Sequence, residues 1–142
     1  MIILGIETSC DETAVSVIEA EGSVEAPVFK LLGSALVSQM KLHAEYGGVY
    51  PNLAKREHIK NLPIVLDKAI KDAKIKIKNI DAIAVTVGPG LEPALWTGIN
   101  FAQNLSKKWA IPLIPTNHME GHIASVLISK TEEFSIFNLE FP

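Results

Sequence analysis

The sequence predicts an α/β domain built on a mixed sheet, with elements in the order βββαβαβα. Three observations support this prediction. The chain opens with three successive apolar, β-branched runs, helix-like spacing of apolar residues follows residue 50, and a later apolar run ends at a Gly-Pro-Gly segment. Because the later strands alternate with helices, we expect the sheet to be antiparallel on one side and parallel on the other.

The first three strands are predicted from apolar runs that turn-forming residues separate. Ile2 to Glu7 and Ala14 to Ala20 are the first two runs, and the polar residues between them predict a hairpin turn. An acidic, glycine-containing turn then leads to the third run, Val28 to Ser38. These runs predict three successive antiparallel strands.

A long helix is predicted after the segment that contains Gly47, Gly48 and Pro51. From there to Ala73, apolar residues recur mostly at steps of three and four, which is the spacing of one helix face. Proline removes a backbone donor and clashes with the preceding turn, so we expect Pro63 to kink this helix or to split it.

The second half of the chain alternates strands and helices. Asp81 to Val87 is a nearly continuous apolar, β-branched run, as in a central strand of a parallel sheet. The elements predicted after it are a helix from Pro93 to about Lys108, a strand from Pro112 to Pro115, a helix from Asn117 to Ser129 and an apolar run from Phe134 to Phe141.

Composition is that of one domain of ordinary size. The chain has 142 residues, of which 48% are hydrophobic, and this is enough to bury one core. No apolar run approaches the roughly 18 residues that a membrane span needs, and Met1 is not followed by a cationic segment. Cys10 is the only cysteine, so we expect no internal disulfide. Together these features predict a cytoplasmic protein with no membrane partner. The net charge of -3 means that any nucleic-acid binding must rest on a local patch.

Two histidines form the candidate metal site. His118 and His122 are four residues apart near a helix start, so both imidazoles lie on one face and can share a metal ion. The alternative is a pair of solvent-facing or core histidines. Glu120 is three residues after Asn117, which favours a helix cap. Met119 takes the place of the zincin glutamate, and Glu120 lies about 200° around the helix from His118, which disfavours a peptidase.

Two loops are candidate ligand sites. Residues 88–93 join a strand to a helix N-terminus, where open α/β sheets bind ligands, but they match neither a Walker loop nor a dinucleotide fingerprint. Thr8 to Thr13 offers hydroxyls and backbone donors to a phosphate, and Asp11 and Glu12 could orient a reacting group. Either segment could instead be a plain connection. Cys10 has no histidine or lysine placed to activate its thiol, so it is a poor nucleophile.

A cationic run that begins in the long helix and continues past it leaves two interpretations open. Acidic residues are interspersed with it, so it is either a solvated helix face or a contact with nucleic acid. The cationic residues are Lys55, Arg56, Lys60, Lys68, Lys71, Lys74, Lys76 and Lys78.

The order of the elements resembles one lobe of the actin-like, Hsp70-like and sugar-kinase-like (ribonuclease H-like) fold. Such folds have two lobes with nucleotide in the cleft between them, and the first hairpin turn presents N–H groups to phosphate. The resemblance implies that residues 1–142 are the N-terminal lobe of a two-lobed, ATPase-like protein. The second lobe is not in this chain, which we expect to be truncated at Pro142 and inactive alone.

Five segments together closely resemble the tRNA threonylcarbamoyladenosine transferase family of the TsaD type. The segments are Gly5 to Thr13, His43 to Val49, Pro51 to His58, Val87 to Trp96 and Asn117 to His122. The resemblance implies a metal-dependent acyltransferase. Its members move the threonylcarbamoyl group of threonylcarbamoyl-AMP to the exocyclic amine of the adenosine that follows the anticodon, in tRNAs that read codons beginning with A.

The resemblance also implies roles for individual residues. His118 and His122 would hold one divalent metal, Fe²⁺ or Zn²⁺, together with an aspartate of the second lobe. The implied catalytic residues are Asp11 and Glu12, and the residues implied to face the adenylate are Thr8, Ser9, Cys10, Tyr46, Gly47 and Gly48. The implied partners are tRNA and, in a bacterium, a TsaB-like paralogue that forms a heterodimer and a TsaE-like ATPase. The long helix resembles the partner-binding region.

Two other functions remain as alternatives. The first is a non-catalytic scaffold paralogue of the same fold, but such paralogues lack the paired histidines. The second is a metallopeptidase, which the position of Glu120 disfavours.

Overall fold

The computed structural model describes residues 1–23, 27–125 and 134–135. Within these ranges the sheet has six strands in the order β5-β4-β1-β2-β3-β6. The strands are β1 (Ile2–Glu7), β2 (Glu12–Gly22), β3 (Pro27–Ser38), β4 (Ala82–Gly88), β5 (Leu113–Asn117) and β6 (Phe134–Ser135). The helices are α1 (Met40–Ala44), α2 (Pro51–Ala73), α3 (Glu92–Trp109) and α4 (His118–Ser125), and Ile77–Asn79 forms a single 3₁₀ turn.

The predicted mixed sheet is confirmed. β1 pairs antiparallel with β2, and β2 pairs antiparallel with β3, while β1, β4 and β5 are parallel to one another. The short helix α1 is an addition that the sequence did not predict. The predicted continuation of α4 to Ser129 and most of the Phe134 to Phe141 run lie outside the described residues, and the two described residues of that run pair with β3.

The long helix α2 continues through Pro63, so of the two expected outcomes, a kink or a split, the split does not occur. The proline ring deprives the carbonyl of Ile59 of its helical donor, and both residues are exposed, so water can reach that carbonyl. Leu62 and Val65 are buried on the opposite side of the helix. Their packing holds the helix together across the proline.

One face of the sheet carries the core. Alternate residues of the central strands β1, β2, β3 and β4 point toward α2 and α3, so these strands present about every second side chain to the helices. The buried hydrophobic residues of this core include Leu4, Ile6, Val15, Val17, Leu62, Val65, Ala69, Ile83, Val85 and Ala102.

The intervening residues of the same strands face the other way and line a groove of about 750 Å³. They are mostly small or polar, with Gly5 and Glu7 on β1, Ala84 and Thr86 on β4. α4 contributes to the groove wall through His118 and other residues. Period-two alternation therefore separates a packed face from a face with polar groups at one end.

No helix in the described part of the chain is long and apolar enough to cross a lipid bilayer.

Candidate functional site

The paired histidines converge at the start of α4. His118 is the first residue of this helix, and His122 lies one turn later. Their Nε2 atoms are 2.9 Å apart, and the rings meet edge to face at 83° with centroids separated by 4.4 Å. The expectation that both imidazoles lie on one helix face is confirmed, while metal binding stays a prediction.

The donor set fits a divalent metal. Imidazole nitrogen suits both zinc and iron. Two nitrogens on a tetrahedral zinc at about 2.05 Å lie about 3.3 Å apart, so the rings of His118 and His122 need to separate by only about 0.4 Å. Residues 1–23, 27–125 and 134–135 hold no group of three or more His, Cys, Asp or Glu side chains that could bind a metal. Within those ranges, the site therefore offers two ligands.

Glu7 lies against the other side of the His118 ring. Its Oε2 is 3.2 Å from Nδ1 of His118 and accepts a 2.6 Å hydrogen bond from the hydroxyl of Thr86. Its Oε1 accepts the backbone N–H of Ser9, whose Oγ is also 3.1 Å from Nδ1 of His118. Burial raises the pKa of the Glu7 carboxyl, but the hydrogen bonds from Thr86, Ser9 and His118 outweigh it and hold the pKa below its ordinary value.

Strand register explains why these residues meet. β1 and β4 pair in parallel with Ile6 opposite Val85, which places Glu7 beside Thr86 at the carboxyl ends of both strands. His118 directly follows β5, whose carboxyl end lies at the same edge. This edge is where open α/β sheets bind ligands. Glu7 was not among the predicted site residues, although a carboxylate at the end of a parallel strand is a signal that could have indicated it.

The turn between β1 and β2 is packed against the start of α3. The hydroxyl of Thr8 is buried and donates to the carbonyl of Ala94 at 3.0 Å, and Gly98 leaves room for the Thr8 side chain. The N–H of Leu91 donates to the carbonyl of Ser9 at 2.7 Å. A Cβ on Gly90 would lie 2.6 Å from that carbonyl. The loop at residues 88–93 therefore packs against the turn and holds its backbone in place.

The acidic residues after this turn have different surroundings. Glu12 is exposed and lines the same groove as His118 and His122. Asp11 is partly buried, and its backbone carbonyl accepts the N–H of Gln39 at 2.8 Å. Of the two predicted catalytic carboxylates, Glu12 is the one that the structure places in the groove with the histidines.

Cys10 is exposed at the tip of the turn. Partial burial raises the pKa of its thiol, and the hydrogen bond and negative charge of Asp11, followed by the charge of Glu12, raise it further. A raised pKa supports the expectation that this thiol is not activated, because the thiolate is the nucleophilic form.

A buried polar group anchors the turn to α2. His58 has no exposed surface, and its Nε2 is 3.0 Å from the backbone carbonyl of Cys10. A carbonyl only accepts, so Nε2 carries the proton and Nδ1 accepts from the hydroxyl of Thr13 at 2.8 Å and the amide of Gln39 at 3.4 Å. Burial lowers the pKa of His58, which favours this neutral form.

The hydrogen-bonded cluster of His58, Thr13 and Gln39 extends to the loop before α2. The Gln39 side-chain oxygen is 3.0 Å from Nε2 of buried His43, and Nδ1 of His43 accepts the backbone N–H of Tyr50 at 3.3 Å. Tyr50 stacks on Tyr46 with ring centroids 5.8 Å apart, and both rings are largely exposed. Among described residues, the groove lining does not include Tyr46, Gly47 or Gly48. Their predicted contact with the adenylate stays a prediction.

Asn117 caps α4. Its side-chain oxygen accepts the N–H of Met119 at 2.8 Å and that of Glu120 at 3.3 Å, as the sequence predicted. The hydrogen bonds described for His118 go to Glu7, Ser9 and His122 rather than to Glu120. The side chain of Glu120 is exposed.

The cationic residues of α2 lie mainly in water. Lys71 forms a 2.6 Å ion pair with Asp67, and Lys60 lies 3.6 Å from Glu57. Both lysine side chains are about 70% exposed, with values of 72% and 69%. Such pairs are typical of a solvated helix face and leave a nucleic-acid contact undecided.

Comparison with known families gives a match over most of the chain. The family model described as TsaD, tRNA N6-adenosine threonylcarbamoyltransferase, matches residues 30–138. The chain is 50% identical over 139 residues to the tRNA N6-adenosine threonylcarbamoyltransferase of Persephonella marina, covering 98% of this chain and 38% of the relative. It is 51% identical over 123 residues to the enzyme of that name from Thermosipho melanesiensis, covering 87% and 35%. The chain thus spans little more than a third of these relatives.

Solved structures share the fold at low sequence identity. A Pseudomonas aeruginosa protein with similarity to the peptidase YeaZ aligns with a TM-score of 0.58 at 19% identity, covering 82% of this chain and 43% of the other. The RuvC structure of Thermus thermophilus aligns with a TM-score of 0.55 at 14% identity, covering 89% and 69%. The fold is therefore of the actin-like, ribonuclease H-like type that the element order predicted.

Proposed function

The chain belongs to the tRNA N6-adenosine threonylcarbamoyltransferase family, and we propose that it carries the metal-binding half of this enzyme's active site. In the proposed reaction, the exocyclic amine of the adenosine that follows the anticodon attacks the carbonyl carbon of threonylcarbamoyl-AMP. The N–C bond forms, the bond from that carbon to the phosphate oxygen breaks, AMP leaves, and the amine loses a proton. The observation that carries the proposal is the convergence of His118 and His122 on a groove that Glu12 also lines.

His118 and His122 would hold Fe²⁺ or Zn²⁺, since their Nε2 atoms point to one place. When bound, the metal supplies Lewis-acid polarisation and orientation of the transferred group. Glu12 is exposed on the groove wall, so its carboxylate is suited to accept the proton that the attacking amine releases. Asp11 precedes it and would help to orient the reacting groups.

The hairpin turn would face the adenylate. Residues Thr8, Ser9 and Cys10 form this turn. Its backbone carbonyls accept hydrogen bonds from the N–H of Leu91 and from the imidazole of His58 on α2. A turn that is already held in place is suited to a phosphate, because little reorganisation is needed when the ligand binds. The loop with Tyr46, Gly47 and Gly48 would border the same substrate.

The proposed partners are tRNA and, in a bacterium, a TsaB-like paralogue and a TsaE-like ATPase. The outer face of α2 supports a protein contact, because Ile59 and Ile64 are 57% and 58% exposed there. An Ile59→Asp, Ile64→Asp variant is expected to lose the heterodimer and keep the thermal stability of the chain. Because tRNA is the proposed substrate, we also propose a cytoplasmic location.

A reconstituted reaction tests the proposal. The full-length protein, its partners, threonylcarbamoyl-AMP and unmodified tRNA are combined, and threonylcarbamoyladenosine is measured in digested tRNA. Lewis-acid polarisation contributes several kcal/mol, so His118→Ala and His122→Ala should each lower the rate by about a hundredfold or more. Full activity of the double variant, or unmodified tRNA with the native protein, would contradict the proposal. A scaffold paralogue would bind no metal, and a metallopeptidase would cleave a glycoprotein in a metal-dependent way.

A further inference from the structure

Three hydrogen bonds fix the carboxylate of Glu7 behind His118. Thr86 donates its hydroxyl to Oε2, Ser9 donates its backbone N–H to Oε1, and His118 Nδ1 lies 3.2 Å from Oε2. The three partners approach from β4, from the β1–β2 turn and from α4 respectively. The carboxylate therefore has little freedom to turn away from the imidazole.

This arrangement determines which nitrogen of neutral His118 carries the proton. Both oxygens of Glu7 accept hydrogen bonds, from Thr86 at Oε2 and from Ser9 at Oε1, so the carboxylate also faces His118 as an acceptor and Nδ1 is the donor. The Nε2 atom is then a bare lone pair. In the absence of a metal, that lone pair accepts from Nε2 of His122 at 2.9 Å.

We propose that Glu7 is a positioning residue for the proposed metal site. It presents the Nε2 lone pair of His118 to the metal by holding the ring orientation and the Nδ1–H tautomer. A carboxylate that accepts the distal N–H of a metal-bound histidine raises the basicity of the ligand, and its loss lowers metal affinity by about 10- to 100-fold. The proposal rests on the metal binding proposed above. Thr86 takes part indirectly, because its hydroxyl holds the oxygen that faces His118.

Zinc titration of the 142-residue chain, followed by histidine ring signals in NMR spectra, measures the effect. We expect Glu7→Gln and Glu7→Ala to raise the Kd for Zn²⁺ by about tenfold or more. Thr86→Val keeps the side-chain shape and removes one bond to Glu7, so we expect a smaller rise. Glu19→Gln removes one carboxylate from β2 away from the histidines and serves as the matched control, with an unchanged Kd.

Imidazole ¹⁵N shifts of the metal-free chain provide a second readout that does not depend on zinc. Neutral His118 should carry its proton on Nδ1 in the native chain and show a mixture of tautomers in Glu7→Ala. Native Zn²⁺ affinity in both Glu7 variants, with binding lost in His118→Ala, would overturn the Glu7 proposal and leave the metal proposal intact. If the native chain binds no Zn²⁺, the metal proposal fails. Independently of zinc, an Nε2–H tautomer of His118 in the metal-free native chain would overturn the role of Glu7.

Discussion

The Nε2 atom of His58, in the middle of α2, donates a 3.0 Å hydrogen bond to the backbone carbonyl of Cys10 at the tip of the β1–β2 turn. This contact joins a helix on one face of the sheet to the turn that would face the adenylate. The imidazole is fully buried and its hydrogen bonds are those of the neutral form. Protonation would leave the bond to Cys10 in place and would put a second proton on Nδ1, which now accepts from Thr13 and Gln39.

Acid should destabilise the chain through His58. Burial lowers its pKa in the folded state, so between that value and the unfolded pKa of about 6.5 the unfolded chain binds more protons. Stability is then present above pH 6.5 and decreases as the pH falls through this window, with a slope of at most about 1.4 kcal/mol per pH unit from this group. Urea unfolding at a series of pH values measures the slope.

His58→Gln is the matched variant for this prediction, since the amide can still donate to Cys10 but does not titrate in this range. Its stability should change less with pH between about 6.5 and 4 than that of the native chain. Equal slopes in the two proteins would show that His58 does not cause the acid sensitivity.

Local patterning was sufficient to predict the strands, α2, α3 and the start of α4. The alternation in β1, the nearly continuous apolar run of β4 and the three-to-four spacing in α2 are set by residues near in sequence. The buried histidines were not predictable in this way, because His43 and His58 are polar and their burial depends on Gln39 and Thr13.

The candidate site was predictable only in part for a similar reason. The pairing of His118 and His122 is a local property of one helix, so spacing predicted it. The contact between Glu7 and His118 joins residues 111 positions apart and arises from the parallel pairing of β1 with β4 and of β4 with β5. The sequence does not determine such register directly.

Two helical glycines should respond oppositely to alanine. A Cβ on Gly98 would overlap the hydroxyl of Thr8, whereas a Cβ on Gly121 meets nothing within 4 Å. Gly98→Ala forces Thr8 to give up its bond to the Ala94 carbonyl and should destabilise the chain by about 1–3 kcal/mol. Gly121→Ala gains helix propensity and should stabilise it by up to about 1 kcal/mol. Urea unfolding distinguishes them, and equal effects would contradict the close packing of α3 on the turn.

The thiol of Cys10 should react slowly with alkylating reagents at neutral pH. Burial and the neighbouring Asp11 raise its pKa, so the thiolate fraction is below that of a free cysteine. The rate of reaction with iodoacetamide as a function of pH should show a midpoint above that of glutathione measured in parallel. Asp11→Asn removes the negative charge and leaves a weaker, neutral acceptor, so it should lower the midpoint. A midpoint that this substitution leaves unchanged would assign the shift to burial alone.

Removing the cap of α4 should weaken metal binding more than it weakens the fold. Asn117 accepts two N–H groups of the first turn, and the helix has only eight described residues, fewer than an isolated helix needs to be stable. Asn117→Ala costs about 1 kcal/mol of helix stability, which corresponds to a rise of about fivefold in the Kd for Zn²⁺ if binding requires the helical spacing of His118 and His122. Asn117→Ser keeps a favourable capping oxygen and should stay within about twofold of the native value. Zinc titration of both variants, beside urea unfolding of the whole chain, separates the two effects. A native Kd in Asn117→Ala would mean that the two histidines reach the metal without the helix that now holds them together.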